Sequence, residues 1–141
     1  MIKTKAGVVL LMAAICVVML IACGGKGDKG NTSETAEEIG YEQISADDAK
    51  GLIDSESEFI IIDARTESEY AEGHIEGAIL IPEYEIADRA EKEIPDKDRL
   101  ILVYCRSGRR SKIASEELVK LGYTNVKEFG GIIDWPYETV K

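Results

Sequence analysis

Cys105-Arg106-Ser107-Gly108-Arg109-Arg110 is the segment whose residue types and spacing could do chemistry. The thiol follows the apolar run Leu100 to Tyr104, and a helical pattern opens at Ser111. Gly108 permits a tight turn with positive φ or a close approach to a ligand. Such a loop can curl so that successive N–H groups converge into an anion nest, and the helix behind it adds its positive end. Arg106, Arg109 and Arg110 add three charges that do not titrate near neutrality. All of this favours thiolate over thiol, so Cys105 is the candidate nucleophile and residues 106–110 are the candidate cradle for a small oxyanion. A buried structural cysteine does not call for three arginines within five residues.

The elements that must position this loop read as alternating strands and helices from residue 41 to 141. Apolar runs at Phe59–Asp63, Ala78–Ile81 and Leu100–Tyr104 suit buried parallel strands; Asn125–Phe129 is a weaker fourth, stopped by Gly130-Gly131, and Tyr41–Ile44 an edge strand. Ser45 to Asp48 and Thr66 to Glu69 have the form of capping boxes, the second helix stopping at Gly73. The first of these helices is expected to bury Ala49, Leu52 and Ile53. Glu85–Ile94 spaces Ile86, Ala90 and Ile94 four apart, as a surface helix does. Ser111–Leu121 is expected to bury Ile113, Ala114, Leu118 and Leu121, with Gly122 after its end. The order predicts an α/β fold with a small, mainly parallel sheet and right-handed crossovers. Chemistry in such sheets gathers beyond the carboxyl ends of the strands, where Asp63-Ala64-Arg65 and the Cys105 loop both fall.

The 141 residues carry 17 Lys+Arg against 27 Asp+Glu, a formal charge of −10. That balance argues against nucleic-acid binding and against docking on anionic lipid by charge alone. The chain opens with Lys3 and Lys5, then an uncharged run from Ala6 to Ala22, then Cys23. The run ends Leu20-Ile21-Ala22-Cys23, which is similar to the lipobox of bacterial lipoproteins. That likeness implies a signal peptide over 1–22, cleavage before Cys23 and a diacylglycerol on its sulfur. An uncleaved membrane helix is the alternative; 17 residues lie at the low edge of a span. Both place the folded part outside the cytoplasmic membrane, because the lysines stay inside. Residues 23–40 are expected to be a lipidated Cys and a Gly-rich tether; a coil of that length spans roughly 20–25 Å. With Cys16 in the leader and Cys23 lipidated, Cys105 is the one free thiol. Cysteine–histidine zinc is disfavoured by the single histidine, His74, and no cofactor is expected.

From about Tyr41 onward the chain resembles a rhodanese domain. The resemblance rests on Asp63-Ala64-Arg65, on Glu69 to Ala78 with its Gly73-His74-Ile75-Glu76-Gly77 core, on Ile81-Pro82, on Cys105 to Ser111, and on Gly130-Gly131 followed by Trp135. These occur in order over about 100 residues. The chain departs from the family in ending soon after Trp135, without the longer Gly-containing close. The resemblance implies a rhodanese-like α/β domain over 41–141, with helices on both faces of the sheet. It implies Cys105 as carrier of persulfide sulfur, the 106–110 backbone as cradle and Arg110 as the loop arginine. The activity implied is transfer of sulfane sulfur from thiosulfate or a persulfide donor to a thiol or cyanide. The lipobox likeness separately predicts a membrane anchor, and one small domain with no obvious apolar surface stripe predicts a monomer. With no second thiol, an external acceptor is obligatory.

Arg65 is a candidate for the mouth of the pocket, although an Asp63–Arg65 pair more often stabilises a fold. His74 suits a hydrogen-bonded turn better than a general base. Ser107 and Ser111 either donate to the sulfur or cap the helix. Trp135 and Tyr137 suit packing better than substrate stacking. Two rival functions remain. Cysteine-dependent phosphatases and arsenate reductases place Arg six residues after Cys; here position 111 is Ser and the arginine stands at 110, so the loop is one residue short for phosphate. A non-turnover sulfur carrier or binding module is the other.

Overall fold

The computed structural model describes residues 40–141. The expectations for the signal segment, for Cys23 and for the tether before residue 40 lie outside them. Within them, five strands form one parallel sheet: β1 (Glu42–Gln43), β2 (Phe59–Asp63), β3 (Ala78–Leu80), β4 (Leu100–Cys105) and β5 (Val126–Gly131), in the order β1-β5-β4-β2-β3. The helices are α1 (Ala46–Ser55), α2 (Glu67–Glu72), α3 (Ile86–Glu93) and α4 (Arg109–Lys120). The α/β class and the parallel sheet are as expected.

Period-two alternation along the central strand β4 explains the layering. Ile101, Val103 and Cys105 face one side, where Ile86 and Ala90 of α3 and Ala114 and Leu118 of α4 close a core. Leu100, Leu102 and Tyr104 face the other, against Ala49 of α1, with Ile61, Phe129 and Trp135. Every residue of β4 is buried. The sulfur-bearing residue is therefore the last member of a strand fixed on both faces and by both neighbouring strands.

Both capping boxes form: the Ser45 and Thr66 hydroxyls accept from the N–H groups of Asp48 and Glu69, whose carboxylates accept from the cap N–H in return. Ile86, Ala90 and Ile94 are buried as their spacing requires, although the segment enters α3 through a 3-10 turn at Glu83–Glu85. Three expectations are corrected. Helix α4 starts at Arg109, two residues early, because Gly108 (φ +97°) turns the chain directly into the helix. Its buried face is Ser111, Ala114, Ser115 and Leu118, while Ile113 is 43% exposed. Apolar periodicity is a poor guide there, since the helix aims two serines at the sheet. Strand β5 runs through the glycine pair instead of stopping before it. Val103 pairs with Glu128 and Cys105 with Gly131, so β5 carries an extra residue, and Gly130 at φ +88° absorbs the bulge.

Candidate active site

Cys105 ends β4 and is 1% exposed. The chain then turns through Arg106, Ser107 and Gly108 into α4. The left-handed Gly108 aims its N–H back at the sulfur, 3.1 Å away. Burial pushes the Cys105 thiol up; against it stand the Ser111 hydroxyl and N–H and the N–H groups of Ser107 and Gly108, which together hold it below the ordinary thiol range. The N–H groups of Ser107, Gly108 and Ser111 thus act on the sulfur from the turn and the first turn of α4.

The cradle is braced by β5. A Cβ on Gly131 would lie 2.1 Å from the Arg106 carbonyl oxygen, so only glycine lets the two backbones meet. The Ile133 N–H donates to that same oxygen. Gly108 packs over Gly130, with an added Cβ 3.6 Å from its Cα.

The arginines divide. Arg110 is half-buried and makes a two-pronged pair with Glu69, Nη1 to Oε2 at 2.7 Å and Nη2 to Oε1 at 2.8 Å. Arg110, with help from the Thr66 cap, holds the Glu69 carboxyl down at about 2, and Glu69 in turn raises Arg110. Arg110 also lies close enough to Cys105 to interact with its charge. Arg106 and Arg109 are exposed and join none of the ion pairs among the described residues. Ser107 is exposed, whereas Ser111 is buried and is not the helix cap, since Gly108 holds that position.

Arg65 is not free to line a pocket mouth. It is 5% exposed, with its guanidinium bound by Asp63 (Nη2 to Oδ2, 2.7 Å) and by the Gly73 carbonyl at 2.7 Å. Asp63 also accepts the Tyr104 hydroxyl at 2.6 Å, and that hydroxyl accepts the Ile75 N–H. Desolvation and the Asp63 charge drive the Tyr104 pKa up, so the phenol stays a donor. This network ties β2, β4 and the loop after α2 together. His74 stacks on Tyr70 at 3.7 Å, donates through Nδ1–H to the Tyr70 carbonyl, and bridges to Val140 by its backbone. Trp135 packs against Phe129 and Tyr137.

The sequence reading missed Glu128. It is 2% exposed, and its Oε1 accepts the Ser111 hydroxyl at 2.6 Å and the Gly130 N–H at 2.9 Å. The available signal was a carboxylate in phase with Val126 on the inward face of a strand.

A parallel sheet that delivers one thiol into a ring of amides is built to hold sulfur as an anion. The family model described as the Rhodanese-like domain matches residues 45–136, and the chain belongs to that family. Over 80 residues it is 41% identical to the thiosulfate sulfurtransferase PspE of Escherichia coli, covering 57% of this chain and 77% of that protein. It is 34% identical over 110 residues to YrkF of Bacillus subtilis, a relative named for sulfur carriage, covering 77% of this chain and 57% of that longer protein. A solved structure of a rhodanese with anions from Escherichia coli superposes with a TM-score of 0.55 at 40% identity, over 58% of this chain and 96% of that one. The domain is a sulfurtransferase-like rhodanese domain.

Proposed function

We propose that this protein moves sulfane sulfur from thiosulfate or a persulfide donor to a thiol or cyanide acceptor through a persulfide on Cys105. The observation that carries the reading is the Gly108 N–H aimed at a buried sulfur whose thiol is held below its usual range. The Cys105 thiolate attacks the outer sulfur of the donor. A new sulfur–sulfur bond forms, the donor's own breaks, and the leaving group, sulfite from thiosulfate or a thiolate from a persulfide, departs with the electron pair. The acceptor thiolate or cyanide then attacks the outer sulfur, and Cys105 leaves as thiolate. Two half-reactions on one nucleophile give ping-pong kinetics. The loop amides serve both anions because they are fixed before either forms. A nucleophile only 1% exposed is reached by a terminal atom on a narrow stem, which fits a sulfane sulfur better than a tetrahedral phosphate.

The cellular setting belongs to the same reading: a lipid on Cys23, residues 24–40 as tether, and a monomeric domain on the outer face of the cytoplasmic membrane. The lipobox-like Leu20 to Cys23 and the lysines before it support this. Sulfite release from thiosulfate with cyanide as acceptor tests the activity. The native chain should turn over with parallel double-reciprocal lines. A Cys105→Ser chain of equal rate would overturn the assignment. Persulfide formation without turnover would favour the carrier alternative, to which the YrkF likeness lends support.

A further inference from the structure

Among the described residues five large apolar side chains are exposed, and two of them have a partner. Tyr137 packs on Trp135 and donates its hydroxyl to Asp47, and Val140 pairs with His74 through its backbone. Tyr84, Ile113 and Ile133 remain, at 66%, 43% and 62% exposure. All three stand on elements that border the Cys105 cradle. Ile133 follows β5, and its N–H is the one that holds the Arg106 carbonyl. Ile113 lies one turn beyond Arg109 on the same face of α4. Tyr84 belongs to the 3-10 turn after β3, which packs against α4. Single exposed apolar residues are ordinary on a surface, but three that border one reactive side chain mark a contact site.

The charges of this rim differ from those of the chain as a whole. Arg106, Arg109 and Lys112 are exposed, and none joins an ion pair among the described residues. The acids next to Tyr84 are Glu83, within electrostatic reach of Arg110, and Glu85, held by Arg89. Beside Ile133 stands Asp134, exposed and outside those ion pairs. The rim therefore offers uncommitted cations on a chain of net charge −10.

We propose that this rim docks an acidic, cysteine-bearing segment of a partner protein, whose thiol accepts the sulfur from Cys105. The inference rests on Cys105 being the sulfur-carrying nucleophile, and it names the class of acceptor. Carboxylates of the segment pair with Arg106, Arg109 and Lys112, and apolar neighbours of its cysteine cover Tyr84, Ile113 and Ile133. Cyanide or a small thiol would leave those three in water. A sulfur only 1% exposed is reached by a slim side chain, and a cysteine on an extended segment presents one. The partner's thiolate attacks the outer sulfur of the Cys105 persulfide. The bond between the two persulfide sulfurs breaks, and Cys105 leaves as thiolate with the electron pair. A lipid surface also suits apolar and cationic side chains, but it would seal the sulfur from donor and acceptor alike.

The test replaces sulfur transfer by disulfide exchange. Two pentapeptides each carry a central cysteine between leucines, one ended by glutamates and the other by lysines, with thionitrobenzoate joined to the cysteine. The Cys105 thiolate attacks the peptide sulfur, a mixed disulfide forms, and thionitrobenzoate leaves with the electron pair and is read by its colour. Rates are taken on the full chain, less the rate of Cys105→Ser. The acidic peptide should react about tenfold faster than the basic one at low salt, and the ratio should approach one at about 0.5 M salt. Tyr84→Ser combined with Ile113→Ser should slow the acidic peptide about fivefold and leave alkylation by iodoacetamide unchanged. Equal rates for the two peptides at low salt would overturn the proposal, whether or not thiosulfate loads the chain with sulfur. Equal losses of exchange and alkylation in the double variant would trace both to the cradle and overturn it too. So would alkylation slowed about tenfold in phosphatidylglycerol vesicles relative to phosphatidylcholine vesicles, which would assign the rim to the membrane. A peptide preference that persists in a chain gaining no sulfur from thiosulfate would keep the docking surface and overturn the transfer reading instead.

Discussion

Gly131 lies directly beneath Arg106: a methyl group on its Cα would stand 2.1 Å from the Arg106 carbonyl oxygen and 2.6 Å from the Ser107 Cα. Both atoms belong to the turn that presents amides to Cys105. The contact is backbone on backbone, so no side-chain rotation can relieve it. Gly131→Ala should therefore push the turn outward. A shift of an ångström in a catalytic cradle costs about 100-fold in rate, and the overpacking roughly 1–3 kcal/mol of stability. Sulfite-release kinetics and a denaturant titration of the same variant check both.

Glu69 and Arg110 form a half-buried pair with a defined pH signature. The Glu69 carboxyl is held down at about 2 by Arg110, from an ordinary value of 4.5. A lowered carboxylate stabilises the fold fully above its unfolded pKa and loses that contribution as pH falls through the folded value. The pair's contribution should thus be complete near neutrality, decline below 4.5 and be gone near 2. In denaturant titrations Glu69→Gln should be less stable than the native chain at neutral pH. The two should converge in strong acid. A gap that is independent of pH would contradict the pair's role.

Among the described residues Arg106 and Arg109 join no ion pair, on a chain of net charge −10. Exposed cations beside an anion cradle should steer a dianionic donor and should be screened by salt. Replacing both with Gln should raise the KM for thiosulfate about tenfold at low ionic strength and flatten its salt dependence. Steady-state kinetics from about 0.02 to 0.5 M salt would show it.

Cys23 carries the anchoring proposal. Two acyl chains hold a protein on a bilayer where one is marginal. Cys23→Ser should move the protein from the detergent phase to the aqueous phase and leave its sulfur transfer intact. A full-length variant that stays in the detergent phase would favour the membrane-helix alternative.

Much of this architecture was legible because apolar runs and capping boxes are local signals. Phe59–Asp63 and Leu100–Tyr104 announce buried parallel strands, and Cys105 to Arg110 announces an anion cradle from composition alone. What was not legible depends on register. The extra residue of β5 at Gly130 has no local signature, so the strand was expected to stop before it. Ser111 and Ser115 occupy the inward face of α4 that periodicity assigned partly to Ile113, because position toward the sheet outweighs hydrophobicity there. Glu128 was hidden for the same reason: its meaning lies in Ser111, 17 residues away. Arg65 illustrates the reverse, a residue near the right strand end whose donors Asp63 and Gly73 already occupy.

The most direct test of Cys105 as the sulfur carrier is intact mass spectrometry after incubation with thiosulfate and removal of excess donor. The native protein should gain the mass of one sulfur atom, lose it on adding cyanide or a small thiol, and localise it to the peptide containing Cys105. A native protein that gains no sulfur, or a Cys105→Ser protein that gains it equally, would contradict the account.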